Sequence, residues 1–333
     1  MPTRQNLQIG DPVLSNFARA FGKQDLVSLS GKGFGNTADF MFPQMPHTVS
    51  GLTGEYYTYD FNTTLQLSED GRKEGNYNKI EWDVGSDTYR LEDKGFSNAY
   101  DDRVQEAALG GMNLSEDAAE ILPERVLRAY ANDAITIATT SGNYAASITN
   151  TTTAAGAAAY GGAWDTSSTD IIRQVAAIKQ VIHKNCGVKP DRIAMGQDVW
   201  TNGVLTNDDI LAGLQAQQKS GGLEDFDSVK AICRTYFGLD GAVDDTIYDS
   251  ANPAATDSNA YLFGKNVVVF VSKAQVARVK AMRFGFTAVK PREFLRAYKW
   301  FEQPHTNWRA VSFQRSIKLV ADEAGYLLTS VVT

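Results

Sequence analysis

Residues Arg192-Ile-Ala-Met-Gly-Gln-Asp-Val-Trp200 constrain this chain more than any other stretch. Ile193-Ala-Met195 is apolar but too short for a helix, so it reads as a short buried strand. Gly196 breaks it, a turn of helix follows, and that turn ends on Trp200. Asn207 then offers an N-cap to a second helix carrying Ile210, Leu211 and Leu214.

The flanking segments extend this into an α/β unit. Ile171, Val175, Ile178 and Ile182 recur at helical spacing before the strand, with Gly187 placed to stop that helix. After it, Asp227 or Ser228 caps a helix carrying Val229, Ile232, Cys233 and Phe237 and closed by Gly238. Thr246-Ile-Tyr248 and Tyr261-Leu-Phe263 read as strands around a polar loop, and Val267 to Val271 as a buried strand. Further on, Val311, Phe313, Arg315, Ile317 and Leu319 alternate with Ser312, Gln314, Ser316 and Lys318, the pattern of a half-buried strand. Gly325-Tyr-Leu-Leu328 reads as one more strand.

The first part of the chain is organised differently. Residues 1–38 are polar and Gly-spaced, with a weak amphipathic piece around Val13, Leu14, Phe17 and Phe21, and read as an arm that packs on something else. Glu55-Tyr-Tyr-Thr-Tyr-Asp-Phe61 is aromatic and extended. Ser68 to Asn76 is a charged, Gly-broken tip, and Ile80 to Val84 with Asp87 to Leu91 form the return. A lone two-stranded excursion is marginal in water, so its aromatic face needs a surface from the same chain or from a neighbour. Tyr56, Tyr57, Tyr59, Lys73, Tyr77 and Trp82 are its candidate subunit-interface residues. A long helix follows. Asn113-Leu-Ser-Glu116 supplies a cap and a carboxylate three residues on, and Leu122, Val126, Tyr130, Ala134 and Ile137 line one face. Pro123 either kinks this helix or marks its first turn. Residues 145–163, almost all Ala, Thr and Gly, read as a connector at a domain boundary.

Chemical motifs are missing where an enzyme would carry them. Gly31-Lys-Gly-Phe-Gly35 lacks the spacing and the strand-to-helix context of a phosphate loop. His47, His183 and His305 share no ligand spacing, and Cys186 and Cys233 form no Cys-x-x-Cys pair, so no metal and no cofactor is expected. No Gly-x-Ser-x-Gly elbow occurs. Asp101-Asp102, Asp208-Asp209 and Asp244-Asp245 are adjacent pairs, which point apart and suit caps and turns. Asp240 to Asp245 lacks the alternating ligands of a calcium loop. The net charge of −7 and scattered Lys and Arg argue against tight nucleic-acid binding. The aromatic residues of the excursion are interleaved with Asp and Glu, which suits protein contact better than base stacking. No secretory signal and no membrane-length apolar run is present, so a cytoplasmic protein is expected, with both thiols free and buried.

The step from strand to Gly to acidic-Val-Trp and then to an Asp-Ile-Leu helix resembles the axial domain of tailed-phage major capsid proteins of the Hong Kong 97-like fold family. So does the whole order from about Phe40 onward. The resemblance implies an α+β fold with an N-terminal arm (1–38), an extended-loop region (39–112, hairpin 52–91), a peripheral domain with a spine helix (113–165 and 285–333) and an axial domain (166–284). It places the Ser312-to-Leu328 strands in the peripheral sheet. It implies a structural protein, not an enzyme, that self-assembles into pentamers and hexamers of an icosahedral shell around double-stranded DNA. Portal, scaffolding and decoration proteins are the implied partners, with no membrane and no sequence-specific DNA binding. The implied place is the virion, assembled in the host bacterial cytoplasm. Relatives that cross-link pair a loop Lys with a distant Asn and a Glu; Lys73 and Lys79 lie in this loop, but no partner is identifiable. The long charged helical segment that some relatives remove is absent here, which implies a separate scaffold or assembly without cleavage. Two other readings stand beside this one. The first is the same fold as an encapsulin-like nanocompartment shell, and the second a hydrolase or carbohydrate-binding protein with a β-rich second half.

Overall fold

The computed structural model describes residues 9–10, 36–46, 51–59, 84–101, 103, 114–145, 162–166, 169–216, 226–249, 258–272, 283–290, 296–303 and 306–333. Side chains are described for most of these. The amphipathic piece around Val13, the Gly31-to-Gly35 turn, the tip Ser68 to Asn76 and most of the Ala/Thr-rich connector lie outside them.

In chain order, β1 (Ile9–Gly10), α1 (Asn36–Met41) and β2 (Gln44–Pro46) precede a hairpin of β3 (Thr53–Tyr59) and β4 (Val84–Arg90). Next come β5 (Glu92–Asp101) and α2 (Leu114–Thr139). α2 continues through Pro123, which therefore marks neither its start nor its end. Its buried face, Leu122, Val126, Leu127, Tyr130, Ala131, Ala134, Ile135 and Ala138, repeats every three to four residues, while Ile137 sits half-buried at its margin. Just past its end, Asn143 Nδ2 and the Tyr144 hydroxyl donate to the carbonyls of Ile137 and Ala138 (2.8 and 2.5 Å). Carbonyls that the helix leaves open are thereby satisfied.

α3 (Ile171–Cys186) has the boundaries its sequence demands. The Asp170 side chain accepts the amide of Arg173, and Gly187 ends the helix in the left-handed region at φ 69°. Ile171, Val175, Ile178, Ile182 and Cys186 form its buried stripe. β6 (Arg192–Gly196) follows, then α4 (Gln197–Val199), whose turn widens into a π-helical segment from Trp200 to Val204. Gly196 is needed at the break, because a Cβ there would fall onto the carbonyl oxygen of Gly264. Asn207 caps α5 (Asp208–Ala216), with its Oδ1 receiving the amide of Ile210 at 3.4 Å. α6 (Phe226–Ile232) begins before the expected caps Asp227 and Ser228 and continues as a π-helical segment to Phe237, where Gly238 ends it. β7 (Asp240–Asp244), β8 (Ile247–Asp249), β9 (Asn259–Tyr261), β10 (Val267–Phe270), β11 (Gly285–Val289), β12 (Arg296–Gln303), β13 (Thr306–Leu319) and β14 (Gly325–Leu328) complete the described elements.

Two sheets organise them. The four-stranded sheet has the order β14-β10-β6-β7, with β6 and β7 parallel and the other pairs antiparallel. Its strands are buried on both faces. Ile193, Met195, Val267, Val269, Tyr326 and Leu328 pack with the stripe of α3, while Ala194, Val268, Phe270 and Leu327 point the other way. That second face merges with α2, Phe42, Phe284 and Phe313 in one cluster. The six-stranded sheet has the order β1-β12-β13-β11-β2, with β5 also pairing β13. β13 is its backbone, and α2 lies across one face through a Tyr130–Phe313 edge-on contact at 5.5 Å. β8 and β9 form a separate ribbon.

Two placements correct the sequence reading. β14, expected in the same sheet as the Ser312 strand, pairs instead with β10 in the four-stranded sheet. All four of its residues are buried, so it lacks the alternation of a sheet with one wet face. β5, read as part of the extended loop, is a ten-residue strand of the six-stranded sheet. Its Ser, Asn, Gly and Asp residues hide the strand because their side chains face solvent. β7 was likewise not anticipated, and β8 and β9 each sit one or two residues away from their expected positions.

Candidate subunit interface

The hairpin is anchored at its root. β3 and β4 pair antiparallel from Thr53↔Arg90 to Tyr59↔Val84, which sets Tyr56 opposite Asp87. The Tyr56 hydroxyl donates to Asp87 Oδ2 at 2.7 Å and lies 3.3 Å from the carbonyl of Leu319. Its ring meets Phe286 of β11 edge-on at 5.3 Å, and Tyr89 meets the same ring at 5.9 Å. Leu91, Ala288 and Val320 close this small cluster. Burial first, and then the bond to the Asp87 carboxylate, push the Tyr56 hydroxyl well above its ordinary range. The same bond holds the exposed Asp87 carboxyl below its own.

The candidate interface residues therefore separate. Tyr56, expected at a subunit contact, is half-buried and packs its ring against Phe286 of its own chain. Tyr57 and Tyr59 continue β3, and only their backbone is described. Lys73, Tyr77 and Trp82 lie outside the described residues. Exposed large apolar side chains occur elsewhere, at Met45, Leu52, Phe96, Ile121, Leu211, Ile247 and Tyr248.

Two polar groups, and between them one further buried acid, have roles that the sequence reading did not assign. Asp39 of α1 accepts the Tyr130 hydroxyl at 2.7 Å and the Gln44 side-chain amide at 3.0 Å, and Tyr130 also lies 2.9 Å from Thr287 Oγ1. Burial pushes the Asp39 carboxyl up to about 6 against these hydrogen bonds. Asp244, fully buried, accepts Thr246 Oγ1 at 3.0 Å, and burial raises it to about 7. The second group joins Asp133 of α2 to Arg315 Nη2 and Lys94 Nζ at 2.9 and 3.1 Å. Arg315 was visible as a charge at an inward-facing position of an alternating strand. Its guanidinium lies over Tyr130 and Phe313, at 5.2 and 5.3 Å from the ring centroids.

Among the described residues no group of three or more His, Cys, Asp and Glu could hold a metal ion. Both cysteines are free and buried, and burial raises the Cys233 thiol to about 12, which leaves it unreactive. His183 is exposed on α3, while His47 and His305 lie outside the described residues. No helix among the described residues is long and apolar enough to cross a membrane.

No family model and no curated protein sequence matches this chain. Solved structures do. A phage-related protein from Bordetella bronchiseptica RB50 is similar over 97% of this chain and 98% of its own, with a TM-score of 0.65 at 16% identity. The capsid of cyanophage P-SCSP1u is similar over 86% of each chain, with a TM-score of 0.53 at 10% identity. A virus-like particle from Pyrococcus furiosus is similar over 95% of this chain and 97% of its own, also at 0.53 and 10%. The chain has a capsid-type α+β fold.

Proposed function

We propose that this chain is a shell-forming structural protein of the Hong Kong 97-like kind, and that it assembles through pentamers and hexamers into an icosahedral capsid around the double-stranded DNA of a tailed phage or prophage. The observation that carries this reading is the match over nearly the whole length to a phage-related protein and to capsid and virus-like-particle subunits. A likeness confined to one sheet would say far less. On this reading Tyr57, Tyr59, Lys73, Tyr77 and Trp82 reach a neighbouring subunit, while Tyr56 pins the root of the hairpin. Portal, scaffolding and decoration proteins are its further partners, in a virion assembled in the host cytoplasm. The mild net charge of −7 suits a container for nucleic acid, since a strongly basic lining would grip the polymer it must release.

The test is electron microscopy of the purified protein. Rings of five or six and closed shells are expected, built from contacts that join unlike surfaces of identical subunits. Light scattering that shows a compact monomer across wide ranges of salt and concentration would overturn the reading. The likeness to a virus-like particle equals that to the cyanophage capsid, so the fold leaves open what the shell encloses, and a nanocompartment shell is the second reading. The contents of particles isolated from the native host separate the two: long double-stranded DNA supports the capsid, a single enclosed enzyme the compartment.

A further inference from the structure

α1 (Asn36–Met41) is only six residues long, yet it is tied to both sheets. Toward the four-stranded sheet, Arg192 Nη1 of β6 donates to the carbonyl of Phe40 at 2.5 Å, and its guanidinium lies 4.6 Å from the centre of the Phe40 ring. Thr37 is hydrogen-bonded to Asp244 at the end of β7. Toward α2 and the six-stranded sheet, Asp39 Oδ1 lies 2.7 Å from the Tyr130 hydroxyl, which lies 2.9 Å from Thr287 Oγ1 of β11. Thr287 Oγ1 in turn donates at 3.1 Å to the carbonyl of Phe42, the residue that follows the helix.

This row is short of one proton. Asp39, Tyr130, Thr287 and the Phe42 carbonyl make three links, and the two hydroxyls bring only two protons. With Asp39 ionised, Tyr130 donates to it and Thr287 donates to Phe42, so the Tyr130 and Thr287 oxygens face each other at 2.9 Å with no proton between them. Any other placement of the two protons also leaves one link open. With a proton on Asp39, the carboxyl donates to Tyr130, Tyr130 to Thr287 and Thr287 to Phe42, and all three links are made. Tyr130 and Thr287 are fully buried, so water does not make good an open link between them.

Asp244 calls for a proton on a separate ground. It is fully buried, held by the Thr246 and Thr37 hydroxyls and by no cation, and the adjacent Asp245 adds a like charge. A buried carboxyl in that setting is far cheaper to keep neutral than ionised. The other charged groups facing α1 do not offset this. Arg315 of β13 is paired with Asp133 of α2 and lies over the Tyr130 ring, while Arg192 of β6 is bonded to Phe40. Among the described residues neither arginine forms an ion pair with Asp39 or Asp244, and Gln44 of β2, the remaining polar neighbour of Asp39, is neutral.

We propose that α1 is a proton-held clasp between the two sheets, seated while Asp39 and Asp244 carry protons and leaving its seat when they lose them. The charge change falls on two carboxyls, and the element with two positions is α1 itself. Seated α1 holds protons at about 6 and about 7, against 3.8 for a released carboxyl, so the clasp is tightest at low pH and opens as pH rises through 6 and then 7. It lies within one subunit and does not depend on assembly.

Hydrogen exchange of the full-length protein tests it. The Phe42 amide, which donates to the Ala38 carbonyl at 2.7 Å, reports on α1. Corrected for the intrinsic rate, its opening in wild-type protein should rise by at least about tenfold from pH 5 to pH 7.5. That opening should respond to denaturant far less than global unfolding does, because it exposes little surface. Asp39→Asn, whose amide keeps a donor toward Tyr130 at every pH, should reduce the rise. The double variant Asp39→Asn, Asp244→Asn should leave the opening flat across this range. Wild-type opening that does not change with pH, or that occurs only through global unfolding, overturns the proposal, as does a folded double variant with the wild-type rise. If the double variant does not fold, the wild-type measurement alone decides.

Discussion

Trp200 is fully buried at the first position of the π-helical segment, where its carbonyl accepts the amide of Leu205 at 3.0 Å. Trp200→Ala removes one of the two fully buried tryptophans of that core cluster. The expected cost is about 3–5 kcal/mol, read as a fall on the order of 10 °C in thermal midpoint. An unchanged midpoint would contradict its role in packing α4 onto the sheet. Asp39 and Asp244 behave in the opposite sense from most acidic residues. Their folded-state values, about 6 and about 7, lie above the unfolded value of 3.8. Folding therefore favours the neutral carboxyl. Their contribution is complete below the unfolded value and disappears as pH rises through 6 and then 7, at about 1.4 kcal/mol per pH unit for each group within its window. Asp244→Asn should flatten the decline in melting temperature between pH 5 and pH 8 and raise stability at pH 8. A variant with the wild-type slope would show that Asp244 is ionised in the folded protein. The sequence marks Asp244 only as one of an adjacent pair suited to caps and turns, and Asp39 not at all, because burial, not residue type, makes each unusual. Arg315 was closer to legible, since its position in the β13 alternation already turned a charge inward.

At the scale of elements, α2 to α6 and the short buried strands β6 and β10 were read well, while α1, β5, β7 and the sheet of β14 were not. The stripe of α3 and its Gly187 stop depend on neighbours three and four residues away, and such local rules are visible in any window of sequence. β5 and β14 depend on partners far along the chain. Polar, exposed β5 looks like loop until β13 is beside it, and four apolar residues of β14 could enter either sheet. The hairpin divides in the same way. Its root is explained by Phe286, Tyr89 and the Tyr56–Asp87 bond. Deleting the polar tip, Ser68 to Asn76, should leave that root and the subunit fold intact, because shortening a loop changes its closure entropy only slowly with length. Shell formation should fail. A deletion variant that melts with the wild type and still assembles would remove the loop tip from any role between subunits.

For the whole molecule, the sequence suggests a domain boundary near the Ala/Thr-rich connector, and across the described residues one cluster joins Tyr130 and Phe313 to Ala194, Val268, Phe270 and Leu327. The inner faces of both sheets thus contribute to a continuous core. Scanning calorimetry of the dissociated subunit should show one cooperative transition. Two resolved transitions would mean that this shared cluster is too weak to couple the halves.

The position of β14 also bears on how the protein is made. A ribosome releases β6, β7 and β10 well before Gly325–Leu328 emerges, and until then the β10 edge of the four-stranded sheet is open. Pairing across long stretches of chain is slow, because loop-closure entropy must be met before the contacts reward it. A nascent chain stalled before β14 is thus left without the strand that closes its core, and it presents a bare apolar edge to chaperones and proteases in place of a finished subunit. The four-stranded sheet is therefore closed on its β10 side only when the chain runs on through Leu328.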